Sequence, residues 1–459
     1  MRSVSLFGTA ALLGLSATVL MPAAAVVPAE REPLMRVLLN EGTQQLTLRA
    51  DGSRPMRVRG VSAGIKLIKR LVLRVQGGGL TADVDGTRLN LSPGGVLRVE
   101  NDDPRGIWLG QRRYRGELQI SSRGGRLRVV NQLGIEIYLA SVVGSEMPHH
   151  WPLAALQAQA VAARTYALRQ RGRGGGWDVK ATVASQVYRG VESETDRTRE
   201  AVNSTHALVL VHRGKLINAV FHSSSGGVTE ASGMVWKNQL PYLISVQDHD
   251  QHSPVHRWQK RFDRQMLRQS LPETGGLESV EVLSRSGSGR VRKAMIRGPR
   301  GALLLSGRQL RQRLGLKSTL VEFEMVTAAK HPKLPPLPLI STVEAKPRSQ
   351  RSRIDRITAS VALATPRSQP ILQASASAVL PMAIQVQTNT KQRLLLVRGQ
   401  GFGHGVGMSQ WGAHGLAEQG ADFRTILRHY YRGADVVPFR SYHDPAMAKQ
   451  PPLAPLWRG

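Results

Sequence analysis

Two hydrophobic periodicities divide the chain. Over residues 33–130, apolar and polar residues alternate in short segments that Gly, Asp and Asn turns separate. Such alternation is typical of half-buried strands, and it predicts strands at 35–39, 46–49, 56–61, 71–75, 95–99, 116–120 and 126–130. We therefore expect a β-rich scaffold in residues 33–130.

A helical period replaces the alternation in residues 152–171. Apolar residues that include Leu156, Val161 and Leu168 fall largely on one side of a 3.6-residue wheel. Pro152 stands where a first helical turn tolerates proline, and Gly172 follows the last turn. The pattern predicts a helix that packs on a core. Glu146 precedes it, and we expect this carboxylate on the loop that leads into the helix, where it either caps the helix or carries chemistry.

Further patterns complete the predicted fold. Residues 192–204 are predicted to form a helix. Residues 207–211 and 216–221 predict a hairpin that turns at Arg213 and Gly214. Residues 278–326 predict strands, with a basic helix near 306–314. Residues 392–398 predict a strand, and a helix follows an Asp422 cap. The fold class is a mixed α+β protein with mostly antiparallel sheets and three or four helices, preceded by the β-rich region.

Two segments differ from this globular pattern. Residues 1–25 have an early Arg2, an apolar run and three small residues at 23–25, which predicts a signal peptide and export to the periplasm or cell wall; an uncleaved anchor is the alternative. Residues 327–391 are rich in Pro, Ser, Ala and Arg, which predicts a flexible insertion. It separates a core at 131–326 from its second part at 392–436, and residues 437–459 form a tail.

The charge of the chain is strongly positive, with 63 Lys and Arg against 32 Asp and Glu and a net charge of +31. This excess favours an anionic partner, although an Arg-rich proteome would produce the same value. No helix-turn-helix, zinc-finger or ribonucleoprotein motif supports nucleic acid as that partner. The chain has no cysteine, so it contains neither disulfides nor thiolate metal sites. After signal cleavage we expect no transmembrane span.

Three local motifs resemble a hydrolase site, a dinucleotide-binding site and a metal site, but their sequence context does not support these functions. His222 to Ser225 lack the G-x-S-x-G elbow of a Ser/His hydrolase. Glycines recur at every second residue from 399 to 407 without the G-x-G-x-x-G spacing of a dinucleotide site. The segment DHDQHSPVHRW at 248–258 fits no helical zinc pattern, and we expect it to be a polar surface loop.

The motifs around Glu146 resemble those of the stage II sporulation protein D and amidase enhancer family. The resemblance rests on E-x-Y-L at 136–139, S-E-M-P at 145–148, W-P at 151–152 and the alanine-rich helix at 155–168. It continues in H-S-x-S-G-G-x-T at 222–229, in the glycine-alternating segment at 399–413 and in I-L-x-H-Y-Y-x-G at 426–433. Residues 114–433 are covered, apart from the insertion.

The resemblance implies a peptidoglycan lytic transglycosylase whose catalytic acid is Glu146, with Glu136 and Glu230 as fallback carboxylates. Burial would have to raise the pKa of Glu146 for this role. The expected substrate-binding residues are His222, Ser223, Ser225, Gly226, His404, Gln410 and Arg164. No cofactor or metal is expected, because Ala184 and Ser185 stand where some relatives carry zinc ligands. The alternative is a non-catalytic peptidoglycan-binding protein that enhances a cell-wall amidase.

Overall fold

The computed structural model describes residues 32–327, apart from 53, 63, 78, 85, 90, 92–94 and 174, and residues 393–439. The signal peptide, nearly all of the insertion and residues 440–459 of the tail lie outside the described residues. The described chain forms two compact units. The first comprises residues 32–253 and 405–439, and the second comprises residues 254–327 and 393–404. The core predicted at 131–326 and 392–436 is thus divided between the two units.

Eight α-helices and one 3-10 helix, at Gly190–Ser193, occur in the described residues. The α-helices are α1 (Ile135–Glu146), α2 (Leu153–Gln170), α3 (Asp196–Ser204), α4 (Ser232–Val235), α5 (Arg264–Ser270), α6 (Gly307–Leu314), α7 (Gln410–Glu418) and α8 (Phe423–Tyr430). The number exceeds the predicted three or four, partly because α1 was not predicted and α4 and α5 are too short to show a period. The α+β class with mostly antiparallel sheets is confirmed.

A seven-stranded sheet forms the scaffold of the first unit. Its strands are β1 (Leu34–Thr43), β3 (Met56–Val61), β4 (Gly64–Ile68), β8 (Leu97–Glu100), β11 (Glu117–Arg123), β12 (Arg126–Gly134) and β13 (Val179–Lys180), in the order β13-β1-β12-β11-β8-β3-β4. Only the β1–β13 pair is parallel. Strand β12 continues directly into α1, so this sheet fixes where α1 begins.

A second, six-stranded antiparallel sheet completes the scaffold. Its strands are β2 (Gln45–Ala50), β5 (Arg70–Gln76), β6 (Gly79–Val84), β7 (Thr87–Leu89), β9 (Ile107–Leu109) and β10 (Arg112–Tyr114), in the order β10-β9-β2-β5-β6-β7. One continuous apolar cluster joins both sheets to the helices: it includes Val37 and Leu118 from the strands, Tyr138 from α1, Val161 from α2 and Leu427 from α8. Because burial of apolar surface is the main driving force of folding, the scaffold and the helices form one core.

Two small sheets close the first unit. Strands β14 (Leu208–His212), β15 (Lys215–Leu216) and β24 (Asp435–Pro438) form an antiparallel sheet in the order β15-β14-β24, and the predicted turn at Arg213 and Gly214 joins β14 to β15. Strands β16 (Phe221–His222) and β23 (Met408–Ser409) pair in parallel. This second pairing joins two segments that lie almost 190 residues apart in the sequence.

The second unit contains two three-stranded antiparallel sheets with α5 and α6. Strands β17 (Arg257–Phe262), β21 (Leu320–Thr327) and β22 (Arg393–Gln400) have the order β17-β22-β21, and β18 (Ser279–Arg285), β19 (Val291–Gly298) and β20 (Gly301–Ser306) follow chain order. A separate core that includes Phe262, Leu267 and Leu310 holds them together. Ser306 and Gln309 form a capping box at α6, and Gly315 ends it in the left-handed conformation.

Candidate active site

Glu146 is the last residue of α1, not a residue of a loop that leads into α2. Met147, which caps the helix, is extended (φ −129°, ψ 145°), and its N–H donates to the carbonyl of Val143. The proline at 148 favours this extended conformation and so ends the helix one residue after Glu146. The expected loop position is wrong because Ile135, Ile137, Val142 and Val143 gave this segment a strand-like composition.

Two hydrogen bonds hold the carboxyl group of Glu146. The backbone N–H of Val187 donates to Oε1 at 2.7 Å, and the side-chain amide of Gln410 donates to Oε2 at 3.2 Å. The residue is half-buried, and no Lys or Arg in the described residues lies within ion-pair distance of its carboxyl group. Desolvation raises the pKa of Glu146. The two hydrogen bonds and the charge of Arg189 act in the opposite direction, but their effect is smaller, so the pKa is raised overall. The negative end of the α1 dipole acts in the same direction as desolvation.

The parallel β16–β23 ladder brings Gln410 to Glu146. Phe221 pairs with Met408 and His222 with Ser409, whose hydroxyl caps α7 by accepting from the N–H of Gly412. Gln410 is therefore fixed as the first residue of a helix whose start is set by the ladder. A side chain at Gly407 would lie 2.1 Å from the carbonyl oxygen of Val220 at a φ of +72°, so only glycine fits where the two segments meet.

The serine-rich turn after β16 is anchored by Asp250. This buried carboxylate accepts from the hydroxyl of Ser224 at 2.5 Å, from the N–H of Gly226 at 2.7 Å and from the N–H of Gly227 at 2.9 Å. Three donors on one carboxylate fix the turn. The expected polar surface loop at 248–258 is thus wrong for its first residues, since Asp248 and Asp250 are 4% and 0% exposed.

Asp248 ties the same turn to α8. It accepts hydrogen bonds from the hydroxyls of Ser225 and Tyr430, the latter at 2.5 Å, and from its neighbour's N–H at His249. Desolvation, followed by the nearby charge of Asp250, raises the pKa of Asp248. Sequence reasoning missed both aspartates as turn anchors, although their spacing of two on an extended segment could have shown that they share a face.

Comparison with known proteins identifies the part of the chain that contains Glu146. Residues 123–212 match the family model described as "Stage II sporulation protein". They form a domain of the stage II sporulation protein family. The resemblance inferred from the motifs is therefore confirmed. The domain contains α1, α2 and α3, together with Val187.

Three relatives extend the similarity beyond that domain. The chain is 30% identical over 303 residues to the amidase enhancer of Bacillus subtilis, which covers 66% of this chain and 40% of the relative. It is 28% identical over 342 residues to stage II sporulation protein D of Bacillus amyloliquefaciens and 27% identical over 341 residues to that of Bacillus subtilis, each covering 70% of this chain and 79% of the relative. The match thus spans less than half the length of the amidase enhancer.

Within the stage II sporulation protein domain, Arg164 and Glu136 form a buried ion pair. Nε of Arg164 lies 2.8 Å from Oε1 of Glu136, and Nη2 lies 2.6 Å from Oε2. The arginine also donates to the carbonyls of Leu208 and Val202 and is 1% exposed. A guanidinium that is buried and held by these four bonds does not fit the expected substrate-binding role of Arg164. The pair instead fixes α2 against the start of α1.

The other expected substrate-binding residues are placed differently. Ser225 and Gly226 are buried and hold the turn closed, which does not fit contact with a sugar, whereas Ser223 is half-buried and its carbonyl accepts from the N–H of Trp411 at 3.0 Å. His222 is 5% exposed, and its Nδ1 bonds the carbonyl of Val406 at 3.1 Å, so that nitrogen carries the proton.

The fallback carboxylate and the remaining histidine complete the set. Glu230 is 2% exposed, and its Oε1 accepts from the N–H of Ala231 at 3.0 Å. His404 is half-buried at the end of the second unit, and its expected role beside Gln410 stays a prediction.

An aromatic cluster joins the two segments that carry Glu146 and Gln410. The ring centroids of Trp151 and Trp411 are 4.7 Å apart, with an angle of 61° between the ring planes. The ring centroid of His414 lies 4.7 Å from that of Trp151. Edge-to-face contacts of this kind add to the stability gained from burial. Trp151 follows Glu146 by five residues and Trp411 follows Gln410 directly, so the cluster stabilises the approach of the two side chains. Sequence reasoning named Trp151 only as part of a motif.

Two further features of the described residues bear on the site. Nowhere in residues 32–327 and 393–439, as described, do three or more His, Asp or Glu side chains group as metal ligands would. In the same part of the chain, no helix combines the length and the apolar character that crossing a bilayer requires.

Proposed function

We infer that this protein acts outside the cytoplasmic membrane on peptidoglycan and cleaves its glycan strands between N-acetylmuramic acid and N-acetylglucosamine. The observation that carries the proposal is the environment of Glu146. Its carboxyl group is half-buried, has a raised pKa and lacks a cationic partner among the described residues. A general acid needs these properties, because it must hold a proton near neutral pH and still reach the substrate.

One carboxyl group suffices for the proposed reaction. Protonated Glu146 gives its proton to the glycosidic oxygen as the bond from that oxygen to the anomeric carbon breaks. The resulting carboxylate then removes the proton from the C6 hydroxyl of the muramic acid residue, whose oxygen attacks the anomeric carbon. A 1,6-anhydro end forms, and Glu146 regains its proton. Most glycoside hydrolases that use water need a second carboxylate, which this intramolecular attack does not require.

The two hydrogen bonds on Glu146 support both halves of this reaction. The N–H of Val187 and the amide of Gln410 are donors, so they stabilise the ionised carboxylate that follows the first proton transfer. They also fix the direction of the carboxyl group, and Gln410 is itself fixed by the start of α7. Correct orientation of an acid contributes to rate because the reacting atoms are already aligned.

The experiment is to incubate the purified full chain with glycan strands, with and without stem peptides, and to detect anhydro ends by mass spectrometry. We expect Glu146→Gln to lower their formation about 10³-fold, the usual contribution of a positioned acid and base. Glu200→Gln, an exposed change of the same kind on α3 in the same domain, is the matched control and keeps full activity. Equal activity of both variants would refute the role of Glu146.

The second candidate is a peptidoglycan-binding protein that enhances a cell-wall amidase. It is favoured by the similarity to a protein named amidase enhancer over 66% of this chain. In the same experiment this candidate predicts no anhydro ends with any variant. It predicts instead that the full chain accelerates release of stem peptides by an added amidase, and that Glu146→Gln keeps this acceleration.

A further inference from the structure

A group of positively charged side chains lies where the end of α2 meets the β14–β15 hairpin. A cavity of about 320 Å³ is lined by Arg169 near the end of α2 and by His212, Arg213 and Lys215 of the β14–β15 hairpin. None of the residues that line the cavity is bonded to Glu146 or to Gln410. The use of the cavity therefore does not depend on the function proposed above.

The hairpin geometry gathers the cations at one place. His212 and Lys215 are direct partners across the antiparallel ladder, with Arg213 in the turn between them. A guanidinium nitrogen of Arg169 donates to the carbonyl of Leu216, which ties the end of α2 to the same hairpin. Arg213 has a φ of +50° beside Gly214 at +72°, so the chain keeps an arginine where glycine or asparagine is usual.

These cations have no acidic partner. In the described part of the chain, no carboxylate lies within ion-pair distance of Arg169, Arg213 or Lys215. Elsewhere in the first unit, arginines are commonly paired, as Arg36 is with Asp178 and Arg113 with Glu192. Three like charges around one cavity repel each other, and a bound anion removes that repulsion.

The remaining wall of the cavity is held rigid and is less polar. Leu216, Pro241 and Tyr242 line it. The hydroxyl of Tyr242 accepts a hydrogen bond from the N–H of Asn218 at 3.0 Å. Its ring centroid lies 5.5 Å from that of His212. Nδ1 of His212 bonds the carbonyl of Gly433 at 2.9 Å, which fixes the imidazole ring. A ligand would meet cations on one side and a preformed apolar surface on the other.

We propose that this cavity binds a phosphate ester. Three positive charges match a doubly charged phosphate more closely than a single carboxylate, and Arg and Lys side chains supply the donors that phosphate oxygens accept. The volume exceeds that of a phosphate group alone, so the apolar wall contacts the carbon atoms of the ester. The source is either a small phosphate ester or one unit of a phosphodiester polymer.

The test is a ³¹P NMR titration of the full chain at low ionic strength with glycerol 3-phosphate and with poly(glycerol phosphate). Citrate is then added as a carboxylate competitor, and its affinity is read from displacement of the phosphate probe. We expect saturable binding of a phosphate probe with a Kd of about 1 mM or tighter. The double variant Arg213→Gly and Lys215→Gln should weaken it at least tenfold. Its fold is preserved, because both residues are exposed and glycine relieves the positive φ.

The matched control is the double variant Lys66→Gln and Arg70→Gln, which removes two exposed charges from the scaffold sheets. Retained binding by this control and by Glu146→Gln supports the proposal. Preference for the polymer or for glycerol 3-phosphate identifies the source. The proposal is overturned if neither phosphate probe saturates, if citrate competes with an affinity as high as that of the phosphate probe, or if the control loses binding as much as the hairpin variant.

Discussion

Helix α1 carries a glutamate in its first turn and another at its last residue, and the two meet opposite surroundings. Glu136 lies at the positive end of the helix dipole and forms a two-point ion pair with the buried Arg164. Glu146 lies at the negative end and has only neutral donors, the N–H of Val187 and the amide of Gln410. One environment stabilises the charge of a carboxylate, and the other disfavours it.

The comparison separates a carboxylate that holds the fold from one that is available for chemistry. Both carboxyl oxygens of Glu136 accept from the guanidinium of Arg164, which leaves Glu136 little freedom to exchange a proton with a substrate. The absence of a cation bonded to Glu146 costs stability, and proteins retain such costs mainly at functional sites. Two glutamates that lie ten residues apart on the same helix therefore have different surroundings.

The largest expected effect comes from making the same substitution at both ends of α1. Glu136→Gln removes the carboxylate that is bonded to the buried guanidinium of Arg164, and we expect it to lower the free energy of unfolding by about 3–5 kcal/mol. In Glu146→Gln the new amide oxygen accepts from the N–H of Val187 and the new NH2 group donates to the amide oxygen of Gln410 once that amide turns over, so this variant should not lower the free energy of unfolding. Urea denaturation at pH 7 measures both values. The comparison fails if the two variants lose similar stability.

A double variant identifies the cause of that loss. Glu136→Leu with Arg164→Met removes both charges and replaces them with apolar side chains of similar volume. Such replacements of a buried pair are often neutral, so the double variant should recover most of the stability that Glu136→Gln loses. A loss as large as that of the single variant would mean that packing, or the bonds of Arg164 to the carbonyls of Leu208 and Val202, is responsible and not the unpaired charge.

Loss of Gln410 should have a smaller effect, on rate and on its pH dependence. Gln410→Met keeps the side-chain volume but removes the donor to Glu146, so the pKa of Glu146 rises further. We expect anhydro-end formation to fall about tenfold, because the carboxyl group loses part of its orientation. The high-pH limb of the rate profile should move to higher pH. A limb that moves to lower pH, with an unchanged Tm, would contradict the contact.

Much of this comparison could be predicted from local sequence. The helix predicted at 152–171 is found at Leu153–Gln170, the Asp422 cap is confirmed by its bond to the N–H of Thr425, and the hairpin turns at Arg213 as expected. These features depend on periodicity, capping and turn residues, which act over a few positions. The family resemblance predicted that Glu146 is the catalytic acid, whereas local patterns alone would have predicted a helix cap.

The surroundings of the two glutamates could not be predicted in the same way. Helix α1 is buried on most sides, so Tyr138, Val142 and Val143 showed no helical stripe. The partners of Glu146 come from positions 41 and 264 residues away. Asp250 accepts a hydrogen bond from the serine-rich turn, which lies more than twenty residues earlier in the sequence. Contacts of this kind depend on the whole core, and no local period encodes them.

The smallest expected effect is a pH dependence of stability that belongs to Glu146 alone. Because its pKa is raised above the ordinary glutamate value of 4.5, the folded state binds this proton more tightly than the unfolded state. The free energy of unfolding therefore falls as pH rises from about 4.5 through the folded-state pKa. Glu146→Gln lacks this titration, so the stability of the wild type relative to the variant should decrease across that window.

Urea denaturation of both chains at intervals from pH 4 to 8 measures this difference directly. Other carboxyl groups with raised pKa values, such as Glu194 and Asp248, are present in both chains and cancel. A difference that stays constant, or that grows with pH, would show that Glu146 is not desolvated in the folded protein. The contrast between the two ends of α1 would then lose its electrostatic basis, since the environment of Glu146 would no longer disfavour its charge.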